Sequence, residues 1–246
     1  MNETMPADFK APNFQPLYRQ IKDLLMERIS SGEWSPGTFI PSEAALATTY
    51  GVSVGTLRKA LNELMADNVV VRQQGKGTSV ATHDADQALF RFFNISRMDG
   101  GRSMPVSMVL GRTLRKASAE EAKDLGLSAG AKVIHISRTR ELDGKATIHE
   151  DIVVCAERFL GLERQPEVLP NTLYHLYQHR FGATVAHADE RIVAIHANAV
   201  QSEALGVKEG AALLQIVRIA RDYQGRAIEK RISVVSTAAH CYFNTI

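Results

Sequence analysis

The N-terminal third of the chain carries apolar residues at helical spacing. Pro16 can occupy the first position of this helix, where its missing backbone N–H costs nothing. Gly32 and the turn Ser35–Thr38 predict where the helix ends. Because the apolar positions recur every three or four residues, they predict one stripe that packs against a core. This stripe comprises Leu17, Ile21, Leu24, Leu25 and Ile29.

Two further helices are predicted behind the first. Ser42 can cap a short helix that runs to about Tyr50, with Ala45 and Leu46 facing inward. Ser53 can cap the next helix in the same way, since serine hydroxyls accept hydrogen bonds from the free N–H groups of a first turn. The apolar face of this third helix comprises Leu57, Ala60, Leu61 and Leu64.

Two β-branched runs follow, Val69–Val71 and Thr78–Ala81, and they predict a hairpin. The loop between them reads QQGKG, and Gly75 and Gly77 allow backbone angles that other residues avoid. Helix, short helix, turn, helix and hairpin is the order of a winged helix-turn-helix. This pattern therefore predicts a DNA-binding fold for residues 14–81, preceded by a flexible arm at 1–13.

The residue types in this module suit contact with DNA. A recognition helix enters the major groove by its N-terminal end, where the small polar residues Ser53 and Thr56 fit and Arg58 lies one turn further in. Lys76, between two glycines, can approach phosphates or the minor groove. The pattern alone also allows a second interpretation, in which three helices and a hairpin present an ordinary solvated face.

The segment Pro41–Thr78, PSEAALATTYGVSVGTLRKALNELMADNVVVRQQGKGT, resembles the DNA-binding domain of the GntR family, and the resemblance extends from Leu17 to Val80. It implies operator DNA as a partner. Family members often carry arginine where this chain has Ala44 and Val54, so a different operator sequence is expected. The candidate DNA contacts are Ser42, Glu43, Ser53, Thr56, Arg58, Lys59, Arg72, Lys76, Gly77 and Thr78.

A polar stretch, residues 82–89, reads as a linker to a second domain at 90–246 that contains an internal repeat. Lys116–Arg138 (KASAEEAKDLGLSAGAKVIHISR) aligns at an offset of 80 with His196–Arg218 (HANAVQSEALGVKEGAALLQIVR). Each copy predicts a short helix, a glycine turn, a long strand and a hairpin turn. Two copies imply a pseudo-symmetric, mainly antiparallel sheet with helices packed on it, so the fold class predicted for the whole chain is α+β in two domains.

The predicted strand Val133–Leu142 carries arginines on its apolar face. Alternate residues of a strand share a face, so Arg138 and Arg140 follow Ile134 and Ile136 toward the interior. Buried guanidinium groups need an anionic partner or dense hydrogen bonding. Two interpretations stay open: the arginines receive the phosphate or carboxylate of a ligand, or they pair only with internal acids such as Glu150 and Glu229.

The second domain resembles the UTRA effector-binding domain of the HutC subgroup of GntR regulators, which has a chorismate-lyase-like fold. Its clearest matches are ISRTRELDGKATIHED, NTLYHLYQHRFG and ALGVKEGAALLQIVRIARDYQGRAIE. The resemblance implies that Arg138 and Arg140 hold an anion and that acids take hydroxyl or amine groups. The implied effector-binding residues are Arg138, Arg140, Glu150, Thr172, Tyr174 and Glu229.

Two departures separate this chain from relatives that bind phosphorylated amino sugars. Val235 stands where many of them have a pocket tyrosine, and the segment FRFFNISRMDGG does not keep their Ser-Phe-Thr loop. The anion-binding half of the pocket is expected to be retained, while the identity of the effector, a phosphosugar or a carboxylate, stays open.

Composition excludes some classes of protein. Hydrophobic residues make up 45% and charged residues 23% of the 246, which is typical of globular and not of disordered chains. The absence of an 18-residue apolar run, together with only two cysteines, predicts a cytoplasmic protein without a membrane span or disulfides. Because residues 1–82 hold eight basic and eight acidic residues, any attraction to phosphate must come from local clustering.

Other constellations are discounted. His175 and His179 have the i, i+4 spacing of metal ligands, but no third ligand is evident, so no metal and no cofactor is expected. Cys155 lies in the apolar run IVVC and is interpreted as core. An enzyme that processes a carboxylate is the alternative function, but no acid–base pair is apparent. The favoured hypothesis is a homodimeric repressor that binds double-stranded operator DNA and responds to a small anionic effector.

Overall fold

A computed structural model describes residues 15–67, 69–82, 93–101, 103–164 and 169–244. The chain divides into two compact units, Met1–Ala81 and Thr82–Ile246. The predicted arm at 1–13 and residues 83–89 of the predicted linker lie outside the described residues.

The first unit folds as three helices followed by a two-stranded antiparallel hairpin. The serine caps form as predicted: Ser42 Oγ accepts from the N–H of Ala45 at 3.2 Å, and Ser53 Oγ accepts from the N–H of Thr56 at 3.1 Å. The winged helix-turn-helix is confirmed. Its elements are α1 (Leu17–Ser30), α2 (Glu43–Tyr50), α3 (Val54–Ala66), β1 (Val70–Gln73) and β2 (Gly77–Val80).

The apolar stripe of α1 is narrower than the sequence suggested. Pro16 is the residue before the helix, and Leu17 and Leu24 are 51% and 44% exposed. At 100° per residue these two leucines lie on one flank of the stripe, away from its centre, so they reach the edge of the core only. The buried positions of α1 are Ile21, Leu25 and Ile29.

The inward face of α2 was predicted one residue out of place. Ala45 is exposed, and the buried pair is Leu46 and Ala47. A two-turn helix buries a narrow face, and in α2 this face is centred one residue further along than predicted. The predicted face of α3 is confirmed, since all four of its apolar residues are buried.

The second unit combines a six-stranded antiparallel sheet with three described helices and a short additional β-pair. A 3₁₀ turn spans Leu162–Arg164. The strands are β3 (Ile95–Arg97), β4 (Val106–Lys116), β5 (Lys132–Leu142), β6 (Lys145–Cys155), β7 (His187–His196), β8 (Ala212–Arg221), β9 (Ala227–Val235) and β10 (His240–Tyr242), and the helices are α4 (Ala119–Leu125), α5 (Leu173–Phe181) and α6 (Ala199–Leu205).

The internal repeat organises the large sheet. The strand order of this sheet is β4-β5-β6-β9-β8-β7. The first copy of the repeat forms β4-α4-β5-β6, and the second forms β7-α6-β8-β9. The two copies meet where β6 pairs with β9, so the strands of the second copy follow in reverse order. Both repeat helices begin in a capping box, at Ser118 and Asn198, and both end on a glycine in the left-handed region, Gly126 and Gly206. The α+β class predicted from the repeat is confirmed.

The two faces of the sheet have different covers. On one face, Leu125 of α4 packs on Val133 and Val153, while α6 packs on β8 and β9. The other face carries Ile134 and Ile136 and is covered by α5 and the segment before it. No helix in the described part of the chain is long and apolar enough to span a membrane.

Candidate functional site

The N-terminal end of α3 is a polar, accessible surface. Ser53 Oγ also lies 2.9 Å from Thr56 Oγ1, so both hydroxyls are held at the first turn of the helix. The Arg58 side chain, one turn further along, is 57% exposed. The structure therefore brings these three predicted residues together at the end of α3 that, in a recognition helix, enters the major groove.

A carboxylate on α2 holds two arginines of this surface. Glu43 Oε2 accepts a hydrogen bond from Arg58 Nε at 2.9 Å, and Glu43 Oε1 pairs with Arg72 of β1. Glu43 itself is only 23% exposed, whereas the Arg72 side chain is 47% exposed. One acid therefore links the recognition helix to the hairpin and fixes the side chains of both arginines.

The other predicted DNA contacts lie around this centre. Lys59 Nζ sits 4.0 Å from the ring centroid of Tyr18 on α1, a cation–π contact. Lys76 and Gly77 are exposed at the hairpin turn, and Gly77 has φ = 115°. Thr78, in contrast, is only 8% exposed. Its side chain faces the unit's interior, so of this group it has the least access to a ligand.

In the second unit, a band of charged side chains crosses the sheet face that α5 covers. Arg138 of β5 stands opposite Glu150 of β6, and Arg231 of β9 stands opposite Arg218 of β8. Arg218 in turn stands opposite Glu190 of the edge strand β7. Both copies of the repeat contribute to this band.

Arg138 is completely buried and has one acid as a partner. Its Nε donates to Glu150 Oε2 at 2.6 Å, and among the described residues neither of its Nη atoms has a hydrogen-bond partner. The internal pairing expected by the second interpretation therefore exists for Arg138 and Glu150. It leaves the forked end of the guanidinium unsatisfied, and such buried donors cost free energy until they find an acceptor.

Arg140 is 2% exposed and is held more loosely. Its Nη2 donates to the Asn171 carbonyl at 3.4 Å, its Nη1 lies 3.9 Å from Glu150 Oε1, and its Nε has no partner among the described residues. The guanidinium carbon lies 4.6 Å from the ring centroid of Phe93. Arg140 is thus a buried cation with spare hydrogen-bonding capacity.

Glu229 is fully engaged inside the protein. Its Oε1 accepts from Tyr174 Oη at 3.0 Å and from Arg231 Nε at 2.9 Å, and its Oε2 accepts from Tyr177 Oη and Arg231 Nη2, each at 2.9 Å. Arg231 Nη1 continues to Glu150 Oε1 at 3.2 Å. Glu229 thereby positions Arg231, and it does not pair with Arg138 or Arg140.

A small cavity, partly open to solvent, lies beside this band. Four of the predicted effector-binding residues line this cavity: Arg140, Glu150, Thr172 and Tyr174. The other two, Arg138 and Glu229, lie outside its lining. Further charged lining residues are Arg218 and Arg231.

Electrostatics around the cavity favour negative charge. Burial alone would raise the pKa of Glu150, but the guanidinium groups of Arg138, Arg231 and Arg140 hold that pKa well below its ordinary range. Burial lowers the pKa of Arg140 to about 9, against the opposing effect of Glu150. Burial and Glu229 raise the pKa of Tyr174 to about 12, so its hydroxyl keeps its proton. An anion beside Arg140 would reduce the cost of burying its charge.

Comparison with known families matches both units. The model of the UTRA domain matches residues 101–240, more than half of the chain, and that of bacterial regulatory proteins of the gntR family matches residues 17–80. The chain belongs to the gntR family and carries a UTRA domain. The family assignment made from the sequence is confirmed: the protein is a DNA-binding transcriptional regulator with an effector-binding domain.

Repressors are among the relatives of this gntR-family chain. The mannosyl-D-glycerate transport/metabolism system repressor MngR of Escherichia coli is 28% identical over 218 residues, 87% of this chain and 89% of that protein. The histidine utilization repressor of Pseudomonas putida is 37% identical over 121 residues, 49% of each chain. The solved ligand-binding domain of a GntR-family regulator from Bordetella bronchiseptica is similar with a TM-score of 0.59 and 29% identity, covering 63% of this chain and 98% of that one.

Sequence reasoning missed two arginines of the UTRA domain. Arg231 follows Glu229 at strand spacing, as Arg140 follows Arg138, so the alternation used for β5 would have placed it on the same inner face. Arg218 matches Arg138 at the repeat offset of 80 and has the corresponding inward orientation. Phe93 and Tyr242 of the cavity carry no comparable signal, because they come from distant, short segments.

The discounted residues lie away from the cavity. The rings of His175 and His179 are 4.1 Å apart between centroids, and in the described part of the chain no group of three or more His, Cys, Asp or Glu is arranged to hold a metal. Cys155, interpreted as core, is only partly buried, because it ends β6 where the strand leaves the sheet.

Proposed function

We propose that this regulator is a homodimeric repressor whose affinity for operator DNA is set by a small anionic effector bound beside Arg140. The observation that carries the proposal is buried Arg140, which lines the cavity and whose Nε has no hydrogen-bond partner among the described residues. A charge of this kind is costly to bury, and a bound anion would satisfy both the charge and the donor.

Contact with DNA is assigned to the N-terminal end of α3 and to the hairpin turn. Ser53, Thr56 and Arg58 would meet base edges and phosphates in the major groove, while Lys76 and the backbone at Gly77 would approach the phosphates beside it. Arg58 is the natural base-reading residue, because a guanidinium can bind guanine through two hydrogen bonds.

Glu43 acts in this scheme through the arginines. A carboxylate is repelled by phosphate, so a direct contact with the DNA backbone would be unfavourable. Its hydrogen bonds to Arg58 and Arg72 instead hold one arginine for the groove and one for the flanking backbone. Ser42 and Lys59 support the same surface, the first as the cap of α2 and the second through Tyr18.

Assembly as a homodimer would place two recognition helices on a two-fold operator and double the number of contacts. The edge strand β4 offers an apolar surface for a second copy: Val106, Met108, Leu110 and Leu114 are between 48% and 63% exposed. A dimer at micromolar concentration in sedimentation velocity, weakened by Met108→Lys, is the expected result; a monomer would contradict it. Operator binding also places the site of action in the cytoplasm.

The effector site is tested by thermal unfolding of the full chain with a panel of phosphate esters and carboxylates. A ligand at one hundred times its dissociation constant stabilises the folded state by about 2.7 kcal/mol. Arg140→Gln should remove this response, because it deletes the cavity's spare donors and leaves the Arg138–Glu150 pair in place. Arg226→Gln, which changes an exposed arginine paired with Asp222, is the matched control. A panel member that stabilises Arg140→Gln as well as wild type would refute the assignment.

A further inference from the structure

We propose that the effector is a small monocarboxylate with an apolar body and not a phosphorylated sugar. The inference rests on the proposed function, namely that the cavity beside Arg140 binds an anionic effector, and it goes further by naming the chemical class. Two independent features of the cavity carry it: the charge of its buried cluster and the composition of its wall.

The first feature is the charge balance of the buried cluster. Four guanidinium groups face three carboxylates, so one positive charge is uncompensated. A carboxylate supplies one negative charge and balances the cluster, whereas a phosphate monoester carries about 1.5 to 2 at neutral pH and would leave it negative. The cluster comprises Arg138, Arg140, Arg218, Arg231, Glu150, Glu190 and Glu229.

The protein's own acids already occupy the other arginines. Arg231 gives two nitrogens to Glu229 and a third to Glu150, and Arg218 Nε donates to Glu190 at 2.7 Å. Of the arginines that line the cavity, Arg140 is the one with an unpartnered buried donor among the described residues. One such donor site suits one small anionic group.

The second feature is an apolar wall. Four lining residues belong to one hydrophobic cluster and are at most 5% exposed: Ile95, Ile148, Ile216 and Val235. Phe93 packs against this cluster. These side chains offer no hydrogen-bond partner. Sugar hydroxyls placed against them would lose water without replacement, whereas an apolar ligand body would gain from leaving water.

Three of the four hydroxyl groups that line the rest of the cavity do not offset this. Ser233 Oγ donates to Glu150 at 3.3 Å, Tyr174 Oη donates to Glu229 at 3.0 Å, and Tyr242 Oη donates to Glu190 at 2.5 Å. Their hydrogens are committed to protein carboxylates. A polyhydroxylated ligand would therefore have to break existing charge-assisted hydrogen bonds, and an apolar body would not.

The test is isothermal titration calorimetry of the full chain with acetate, butanoate, hexanoate and 3-phenylpropanoate, and with glucose 6-phosphate, at constant ionic strength. Each added CH₂ that reaches the wall should lower the dissociation constant about fourfold. Arg140→Gln should abolish binding throughout the series. Val235→Thr, of similar volume, should reduce the gain per CH₂, whereas Val193→Thr on exposed β7 should not.

The outcomes separate this inference from the proposed function. The carboxylate assignment is overturned if affinity does not change along the carboxylate series. It is also overturned if glucose 6-phosphate binds more tightly than hexanoate in an Arg140-dependent manner, although that result would still support an anionic effector. If neither class of ligand binds in an Arg140-dependent manner, both the inference and the proposed function fail.

Discussion

Changing Glu43 to Gln should make the protein bind DNA less selectively without weakening its attraction to DNA in general. The amide keeps the size of the side chain but removes the negative charge shared by Arg58 and Arg72. Both arginines then lose the partner that fixes their orientation. Glu43→Gln therefore disturbs the positioning of the two arginines but keeps their positive charges. Replacing the arginines themselves would remove both at once.

The structure sets the expected magnitudes. Both arginine side chains are about half exposed, so the ion pairs contribute at most about 1 kcal/mol to stability, and folding should hardly change. A bidentate arginine–guanine contact discriminates by about 1–3 kcal/mol, so the preference for operator should fall by roughly 5- to 150-fold. The released positive charge should steepen the salt dependence of the binding constant by up to about 0.9.

Fluorescence anisotropy with an operator duplex and a scrambled duplex, from 50 to about 300 mM salt, measures these quantities. Affinity for the scrambled duplex should rise while the operator preference falls. Glu33→Gln is the matched control, because Glu33 pairs with Arg28 on the same unit, away from α3. An unchanged operator preference in Glu43→Gln would refute the positioning role, and equal losses on both duplexes would show a structural one.

Further predictions concern stability. Glu229→Gln should lower the free energy of unfolding, measured with urea, by about 3–5 kcal/mol, because it leaves Arg231 buried without its bidentate partner. Glu203→Gln, at an exposed position, should lower it little, and equal effects of the two changes would contradict the network. Hydrogen bonds from Arg115 lower the pKa of Glu121 to about 2, so this group's stabilisation is present above about pH 4.5 and is lost as the pH falls toward 2. Glu121→Gln should flatten the stability–pH curve in that window, and an unchanged slope would refute the assignment.

The sequence was most informative where local chemistry decides the structure. Ser42 and Ser53 cap their helices as expected, because capping depends on residues three positions apart. The inward orientation of Arg138 and Arg140 followed from strand alternation alone. Helical periodicity predicted burial less exactly at the edges of a core. Leu24 and Ala45 have the spacing of buried residues, but too little neighbouring structure covers them.

Apart from the Arg138–Glu150 pair, the partners of the buried charges could not be predicted, because they depend on strand register and on packing across the sheet. The register of β9 places Glu229 opposite Val154 and Ala220, away from the arginines of β5. Its partners are Arg231 on the same strand and the two tyrosines of α5. The repeat predicted the symmetry of the fold but not the divergence of its copies.

That divergence accounts for the unequal charge of the two halves of the buried cluster. The pair Arg138–Glu150 on β5 and β6 corresponds in the second copy to Arg218–Arg231 on β8 and β9, so an acid in one half is matched by a base in the other. The excess positive charge of the cluster arises from this replacement, and Glu190 and Glu229 compensate it only in part.

The most direct test of the account joins its two sites in one experiment. The full chain is used to select its preferred sequence from a random duplex pool, and its affinity for that duplex is then measured with and without saturating hexanoate. We expect an inverted repeat to be enriched and hexanoate to change the affinity by about fivefold or more, the lower end of typical coupling between sites, in wild type but not in Arg140→Gln. Enrichment of no sequence, or an operator affinity that saturating hexanoate leaves unchanged, would contradict it.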